Sequence, residues 1–170
     1  GVEIRWHCDK ALLKGNDDVP EKATFHFAEG LKDYLAAGLT GANLVHPDIF
    51  TGTSGKVGRH GAAEWAVAWT VDQDGFLQSY CNTIPTPDGG THESGLRSAL
   101  LRGLKDHAGG PGQEKRAAAI TSEDIMVGAA CMLSVFIREP EFQGQTKDRL
   151  ATAAAQRVVE NAIKDPSDHW

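Results

Sequence analysis

The sequence is poor in cysteine and has no long run of apolar residues. Its three cysteines, Cys8, Cys81 and Cys131, are odd in number, far apart and never spaced as C-x-x-C, so they support neither a disulfide framework nor a zinc site. No apolar stretch approaches the ~20 residues that a membrane-spanning helix needs, and no secretory signal opens the chain. These features predict a protein of the reducing cytoplasm with no membrane partner. Because Gly1 stands where an initiator Met would be, we also expect the sequence to be a part of a longer protein.

A net positive charge is lacking as well. The formal net charge is -6, which argues against a strongly basic nucleic-acid-binding protein. The charge is uneven, however, because residues 97–116 contain five cations and two anions, a local balance of +3. This stretch is either a solvated helix face or a surface that faces a phosphate backbone.

Alternating and continuous apolar segments predict several strands. The strand-like segments are residues 2–7, 23–27, 49–53, 64–71, 76–82 and 132–138. An Asp-Gly pair closes the connection between residues 64–71 and 76–82, which predicts a hairpin. The nearly continuous apolar run at 132–138 is typical of a buried central strand.

Helical spacing of apolar residues occurs between these strands. The helical segments are residues 29–39, 92–107 and 152–164. Thr91 is the expected N-cap of the second, and Pro166 is expected to end the third. Thr121 and Asp124 form a T-x-x-D start for a further short helix. With an antiparallel hairpin and mixed elements, the predicted fold class is α+β.

Three familiar catalytic patterns fail in this sequence. The stretch TGTSGKV at 51–57 would be a phosphate-binding P-loop only with Gly at position 50 and a hydroxyl at 57, where Phe50 and Val57 stand. None of the seven histidines forms an H-x-x-x-H pair, so we expect no metal site. Ser94 and Ser98 have no base at a fixed spacing, which leaves nucleophilic catalysis unsupported.

The segment EPEFQGQTKDRL, residues 139–150, is different in kind. It follows a predicted strand and precedes a predicted helix. Gly144 permits the backbone angles of a tight loop tip, and Pro140 ends the preceding strand. Lys147 is a point charge on a long stem, suited to a phosphate, and Gln145 supplies a neutral donor for a second oxygen. The loop predicts a grip on a terminal phosphate, although a Q-T-K tripeptide alone is also compatible with a solvated turn.

Two segments together resemble a known family. They are SYCNTIPTPDGGTHESGLR at 79–97 and EFQGQTKDRL at 141–150, and they resemble the two hallmark segments of the ATP-dependent B subunits of bacterial type IIA topoisomerases. The family pattern N-x-I-P-T/Q-x-x-G-G-T-H is matched at Asn82, Ile84, Pro85, Thr86, Gly89, Gly90, Thr91 and His92, and its QTK triplet at Gln145, Thr146 and Lys147. Within that family, residues 85–87 and 93–96 are more similar to topoisomerase IV than to gyrase. Gyrase is the alternative assignment.

The resemblance implies two domains. Residues 1–28 would be the last strands of a GHKL-type ATPase domain. Residues 29–170 would be a transducer domain of the ribosomal-protein-S5-domain-2-like fold, in which helices pack on one face of a mixed sheet. The magnesium-binding Asn, the adenine-binding Asp and the lid of that ATPase domain have no counterpart in these residues. We therefore expect this part to neither hydrolyse ATP nor hold ATP and Mg²⁺ tightly on its own.

The resemblance also implies roles for named residues. Gln145, Thr146 and Lys147 would contact the γ-phosphate of ATP, with Lys147 acting in catalysis too. Residues 89–92 would be architectural, with glycines forming the turn, Thr91 capping and His92 satisfying backbone groups.

Further expectations concern partners. Arg97, Arg102 and Lys105 would face double-stranded DNA without sequence preference. The whole protein would form a homodimer, associate with the A subunit of topoisomerase IV and work at the bacterial nucleoid. Mismatch-repair proteins of the MutL type and ATP-dependent heat-shock chaperones share the domain pair but lack the I-P-T-x-x-G-G-T-H segment. A stand-alone S5-like RNA-binding module is disfavoured by the acidic net charge.

Overall fold

The computed structural model of the protein describes residues 1–54, 61–167 and 169. The strands are β1 (Glu3–His7), β2 (Lys22–His26), β3 (Phe50–Thr53), β4 (Ala62–Trp69), β5 (Phe76–Cys81), β6 (Ile84–Pro85) and β7 (Ala129–Phe136). The α-helices are α1 (Leu31–Gly38), α2 (Thr91–Ala108), α3 (Glu114–Ala119), α4 (Ser122–Met126) and α5 (Ala153–Ser167). None of these helices is both long and apolar enough to cross a membrane.

The strands form two separate sheets. β1 and β2 pair antiparallel as a two-stranded ribbon, as the alternation at residues 2–7 and 23–27 predicts. The other five strands form one mixed sheet in the order β3-β4-β7-β5-β6. Within it β4 is antiparallel to β7, and β5 is parallel to β7. β7 therefore occupies the centre, as its apolar sequence predicts.

The predicted hairpin of residues 64–71 with 76–82 is wrong. β4 and β5 correspond to these segments, but β7 lies between them. Seven of the eight residues of β7 are buried, so this strand gains most from a place with a neighbour on each side. The two ends of the Asp-Gly connection are instead hydrogen-bonded to the chain that enters β7. Thr70 N donates to Gly128 O at 2.8 Å, and Gly75 N donates to Val127 O at 2.6 Å.

Two apolar cores lie on opposite faces of the five-stranded sheet. Successive side chains of a strand point to opposite faces, so Trp65 and Val67 of β4 face one way and Ala66 and Ala68 the other. The first pair packs into the core that α2 and α5 cover, and the second pair packs with Leu35 of α1. The α+β class with a mixed sheet is confirmed. The long helices do share one face, but α1 covers the other, because β4 and β7 are apolar on both sides.

The ends of several elements differ from their predicted positions. β7 begins three residues earlier than the predicted 132–138, and α5 extends to Ser167, so Pro166 lies inside its last turn. The T-x-x-D prediction is confirmed as a reciprocal capping box at the start of α4, in which Thr121 and Asp124 bond each other's backbone N–H groups. All three cysteines are free thiols, and Cys81 and Cys131 are buried in the sheet.

Candidate functional site

The QTK loop, residues 142–150, connects β7 to α5. Its two ends are joined by an antiparallel bridge between Phe142 and Leu150 and by a hydrogen bond from Gln143 N to Arg149 O at 2.9 Å. The loop is thus closed at its base, and the residues between these ends form a projecting tip.

The tip presents the predicted phosphate-binding side chains to solvent. Gln145, Thr146 and Lys147 are all exposed. Gly144 has φ +82°, as its place at the tip predicts, and Lys147 itself has φ +61°, a left-handed conformation that is uncommon for a residue with a side chain. Among the described residues no carboxylate forms an ion pair with Lys147. Its ammonium group is therefore available to an anion outside this part of the chain.

The QTK loop is hydrogen-bonded to a second segment far away in sequence. This corner segment, residues 88–91, links β6 to α2. Asp88 N donates to Asp148 O at 2.9 Å, Leu150 N donates to Gly89 O at 2.9 Å, and Thr91 N donates to Leu150 O at 3.1 Å. The two sequence motifs therefore form one structural unit, although about 60 residues separate them.

Side chains strengthen the same junction. Arg149 Nη1 donates to Asp88 O at 2.8 Å, and Thr91 Oγ1 donates to Thr152 O at 2.7 Å, just before α5. Sequence reasoning missed the role of Arg149, because nothing in its local pattern shows which distant carbonyl it reaches.

Close approach of the two segments requires glycine at position 90. A Cβ atom on Gly90 would lie 2.2 Å from Leu150 O, and the residue has φ +141°. Gly90 rather than Thr91 is the N-cap of α2, so the prediction that Thr91 caps the helix is wrong. Thr91 is the first helical residue, and its hydroxyl bonds Thr152 instead of the helix backbone.

A chain of hydrogen-bonded polar side chains, three of them buried, lies behind the corner segment. His92 Nε2 lies 2.9 Å from Thr86 Oγ1, which is 2.7 Å from Ser79 Oγ. Ser79 Oγ in turn donates to Glu93 Oε1 at 2.7 Å. The expectation that His92 satisfies backbone groups is wrong, because its partner is the side chain of Thr86.

Burial sets the protonation state of this histidine. His92 is fully buried, which lowers its pKa to about 4, because an imidazolium would lose its hydration there. Its Nδ1 atom has no hydrogen-bond partner within the described structure. The neutral ring is therefore held by burial and by its contact with the Thr86 hydroxyl, and its architectural role stays a prediction.

The candidate DNA-facing cations are spread along α2. Arg97 is exposed and lies 3.8 Å from Glu93, and Arg102 is exposed. Lys105 is half-buried and donates to Ala118 O at 3.2 Å. Five helical residues correspond to about 140° around the axis, so Arg97 and Arg102 point in different directions. The QTK residues thus lie together on one exposed loop tip, whereas these three cations do not form one cluster.

No metal centre is evident in the described ranges, where no three His, Cys, Asp or Glu side chains lie close enough to hold an ion. Three residues of the TGTSGKV stretch, positions 55–57, lie outside the described residues, so the structure adds nothing to the argument against a P-loop there.

Comparison with known proteins gives a consistent result. The family named DNA gyrase B matches residues 30–170. The chain is 58% identical over all of its 170 residues to the DNA topoisomerase 4 B subunit of Bartonella bacilliformis, and it covers 24% of that protein. It therefore spans about a quarter of the length of the curated relatives it matches.

Solved structures agree on the fold. A topoisomerase IV ATP-binding domain from Francisella tularensis, in complex with a small-molecule inhibitor, aligns at TM-score 0.69 and 28% identity over 99% of this chain and 42% of that one. The gyrase B subunit of Myxococcus xanthus aligns at TM-score 0.74 and 21% identity over 88% of this chain and 46% of that one. The latter, at its low identity, is evidence for the fold alone.

Proposed function

The chain belongs to the DNA gyrase B family, and on that basis we propose that it is the ATP-sensing transducer part of a topoisomerase IV B subunit. The whole subunit is then an ATP-dependent type II DNA topoisomerase. The observation that carries this proposal is the exposed Lys147, held in a left-handed conformation on a loop closed at its base and bonded to the corner segment. The 58% identity of the chain to a topoisomerase 4 B subunit favours topoisomerase IV over gyrase.

In this proposal Lys147 and Gln145 bind the γ-phosphate of ATP, which the preceding domain holds. Lys147 contributes a compact positive charge and Gln145 a neutral donor, with Thr146 between them. A hydrogen bond to a charged group contributes about 1.5–3 kcal/mol. Two such bonds bias the orientation of the two domains by about 3–6 kcal/mol, on the order of a hundred- to ten-thousand-fold.

Hydrolysis and release of phosphate remove this bias, so the transducer rotates against its neighbour. This movement drives the gate of the enzyme and the passage of one DNA duplex through another, which decatenates and relaxes DNA. Lys147 also stabilises the charge on the phosphoryl group during its transfer, which makes it a catalytic residue as well as a sensor.

The rest of the nucleotide site belongs to another domain in this proposal. The described residues offer groups for one phosphate, and no cluster of metal ligands occurs among them. Mg²⁺, when bound with ATP, neutralises phosphate charge. Its ligands lie outside this part, which we therefore propose to be inactive alone.

Residues 1–28 are proposed to be the last strands of that ATPase domain, and residues 29–170 the transducer. The ribbon of β1 and β2 supports this division. Ile4 and Trp6 of β1 stand on one face with Phe25 of β2, the register partner of Ile4, and these side chains are 58%, 44% and 50% exposed. An apolar face of this kind needs a cover, and the core of the ATPase domain provides one.

Partners follow from the same proposal. We propose that Arg97, Arg102 and Lys105 contact the phosphates of duplex DNA at separate points along α2, without sequence preference. The B subunit forms a homodimer and works with the A subunit of topoisomerase IV, in the cytoplasm at the nucleoid.

The test is the rate of ATP hydrolysis by the intact subunit carrying Lys147→Ala. We expect a loss of two orders of magnitude or more, on the order of 3 kcal/mol in the barrier. The matched control is Lys164→Ala, which removes an exposed lysine from α5 and leaves the rate unchanged. Normal turnover by Lys147→Ala contradicts the proposed function.

A further inference from the structure

We infer that Arg149 is a positioning residue for Lys147, because it fixes the QTK loop to the corner segment. The inference rests on the proposed function of Lys147 and adds a residue to which that proposal assigns no role.

The tip of the QTK loop does not hold itself in place. Residues 144–147 make no hydrogen bond to any other described residue. Lys147 also adopts φ +61°, a conformation that is unfavourable for a residue with a Cβ atom. A residue with this backbone and no local bonds keeps its direction only if the flanking chain is fixed.

The flanking chain is fixed on its C-terminal side by the corner segment. Asp148 O accepts from Asp88 N, and Leu150 N donates to Gly89 O. Between them, Arg149 Nη1 donates to Asp88 O. Both polar backbone atoms of Asp88 are therefore bonded to the two residues that directly follow Lys147, and Arg149 provides the side-chain bond.

The corner segment is a firm support because it enters the core. Its last residue, Thr91, is bonded to the chain before α5, and the next residue, His92, is fully buried. Leu96, one turn further along α2, belongs to the main apolar core. The bond from Arg149 thus connects the chain beside the loop tip to a segment that continues directly into the core.

The experiment measures kcat and KM of ATP hydrolysis in the intact subunit for four variants. Arg149→Gln removes the charged donor, Arg149→Lys keeps a cation, and Lys147→Ala and the double variant test whether Arg149 acts through Lys147. Arg157→Gln is the matched control, since this arginine on α5 is exposed and has no hydrogen bond or ion pair with a described residue.

We expect Arg149→Gln to lower kcat by about 3- to 10-fold, as loss of one exposed charged hydrogen bond allows, with little change in KM. Arg149→Lys restores at least half of the rate, and Arg157→Gln changes nothing. The decisive value is that of the double variant, which should be no slower than Lys147→Ala alone, because a positioning residue has no effect once its target is gone.

Two results overturn the inference. Arg149→Gln with full kcat shows that the bond does not position Lys147, and an equal slowing by Arg149→Gln in the Lys147→Ala background shows that Arg149 acts independently. Either result leaves the proposed function intact if Lys147→Ala alone shows the expected loss of two orders of magnitude or more with a measurable residual rate. Normal turnover by Lys147→Ala contradicts the proposed function itself.

Discussion

Arg149 donates a hydrogen bond of 2.8 Å to the carbonyl oxygen of Asp88, across 61 residues of sequence. This contact joins the QTK loop to the segment I-P-T-x-x-G-G-T-H, so the two motifs that resemble one family also touch each other in space. The QTK loop is thereby hydrogen-bonded directly to the segment in which α2 begins.

Gly90 is predicted to be indispensable for this junction. Gly90→Ala places a Cβ atom 2.2 Å from Leu150 O and forces alanine into φ +141°, so we expect the free energy of unfolding to fall by about 3 kcal/mol or more. Urea-induced unfolding measures the change. Gly110→Ala is the matched control, because nothing lies within 4 Å of its Cβ position, and its effect should stay within about 0.5 kcal/mol. Equal stability of the two variants contradicts the close approach described above.

Because of His92, we expect the free energy of unfolding to fall in acid. Burial lowers its pKa in the folded state to about 4 from the ordinary value of 6.5, so the unfolded chain binds a proton more readily than the fold does. The stabilising effect of the neutral ring is complete above pH 6.5 and is lost as pH falls towards 4, by about 3 kcal/mol in total.

The measurement for His92 is the free energy of unfolding between pH 7 and pH 4 for the protein and for His92→Gln. We expect the difference between the two curves to shrink in acid, because glutamine does not titrate. Parallel curves throughout this range indicate that the ring takes up its proton as easily in the fold as in the unfolded chain.

Local pattern was enough to predict most of the elements. The ribbon of β1 and β2, the helices α1, α2 and α5, and the central position of β7 follow from the spacing of apolar residues. The predicted position of Lys147, on a loop between a strand and a helix, is confirmed. Its contact with a phosphate stays a prediction.

Long-range pairing was not accessible in the same way. An Asp-Gly turn between two strands predicts that they pair as a hairpin. The turn carries no information about β7, which takes the position between β4 and β5 because it is apolar on both faces. The N-cap at Gly90 and the bond from Arg149 to Asp88 likewise depend on a segment about 60 residues away. The hydrogen-bonded chain from His92 to Glu93 through Thr86 and Ser79 could not be predicted, because each member is an ordinary residue when taken alone.

The most direct test of the account is to measure the affinity of the intact subunit for ADP and for a non-hydrolysable ATP analogue, with and without Lys147→Ala. If Lys147 binds the third phosphate, the variant loses about 10- to 100-fold in affinity for the analogue and keeps its affinity for ADP. An equal loss for both nucleotides, or no loss for either, contradicts the claim that this side chain senses the γ-phosphate.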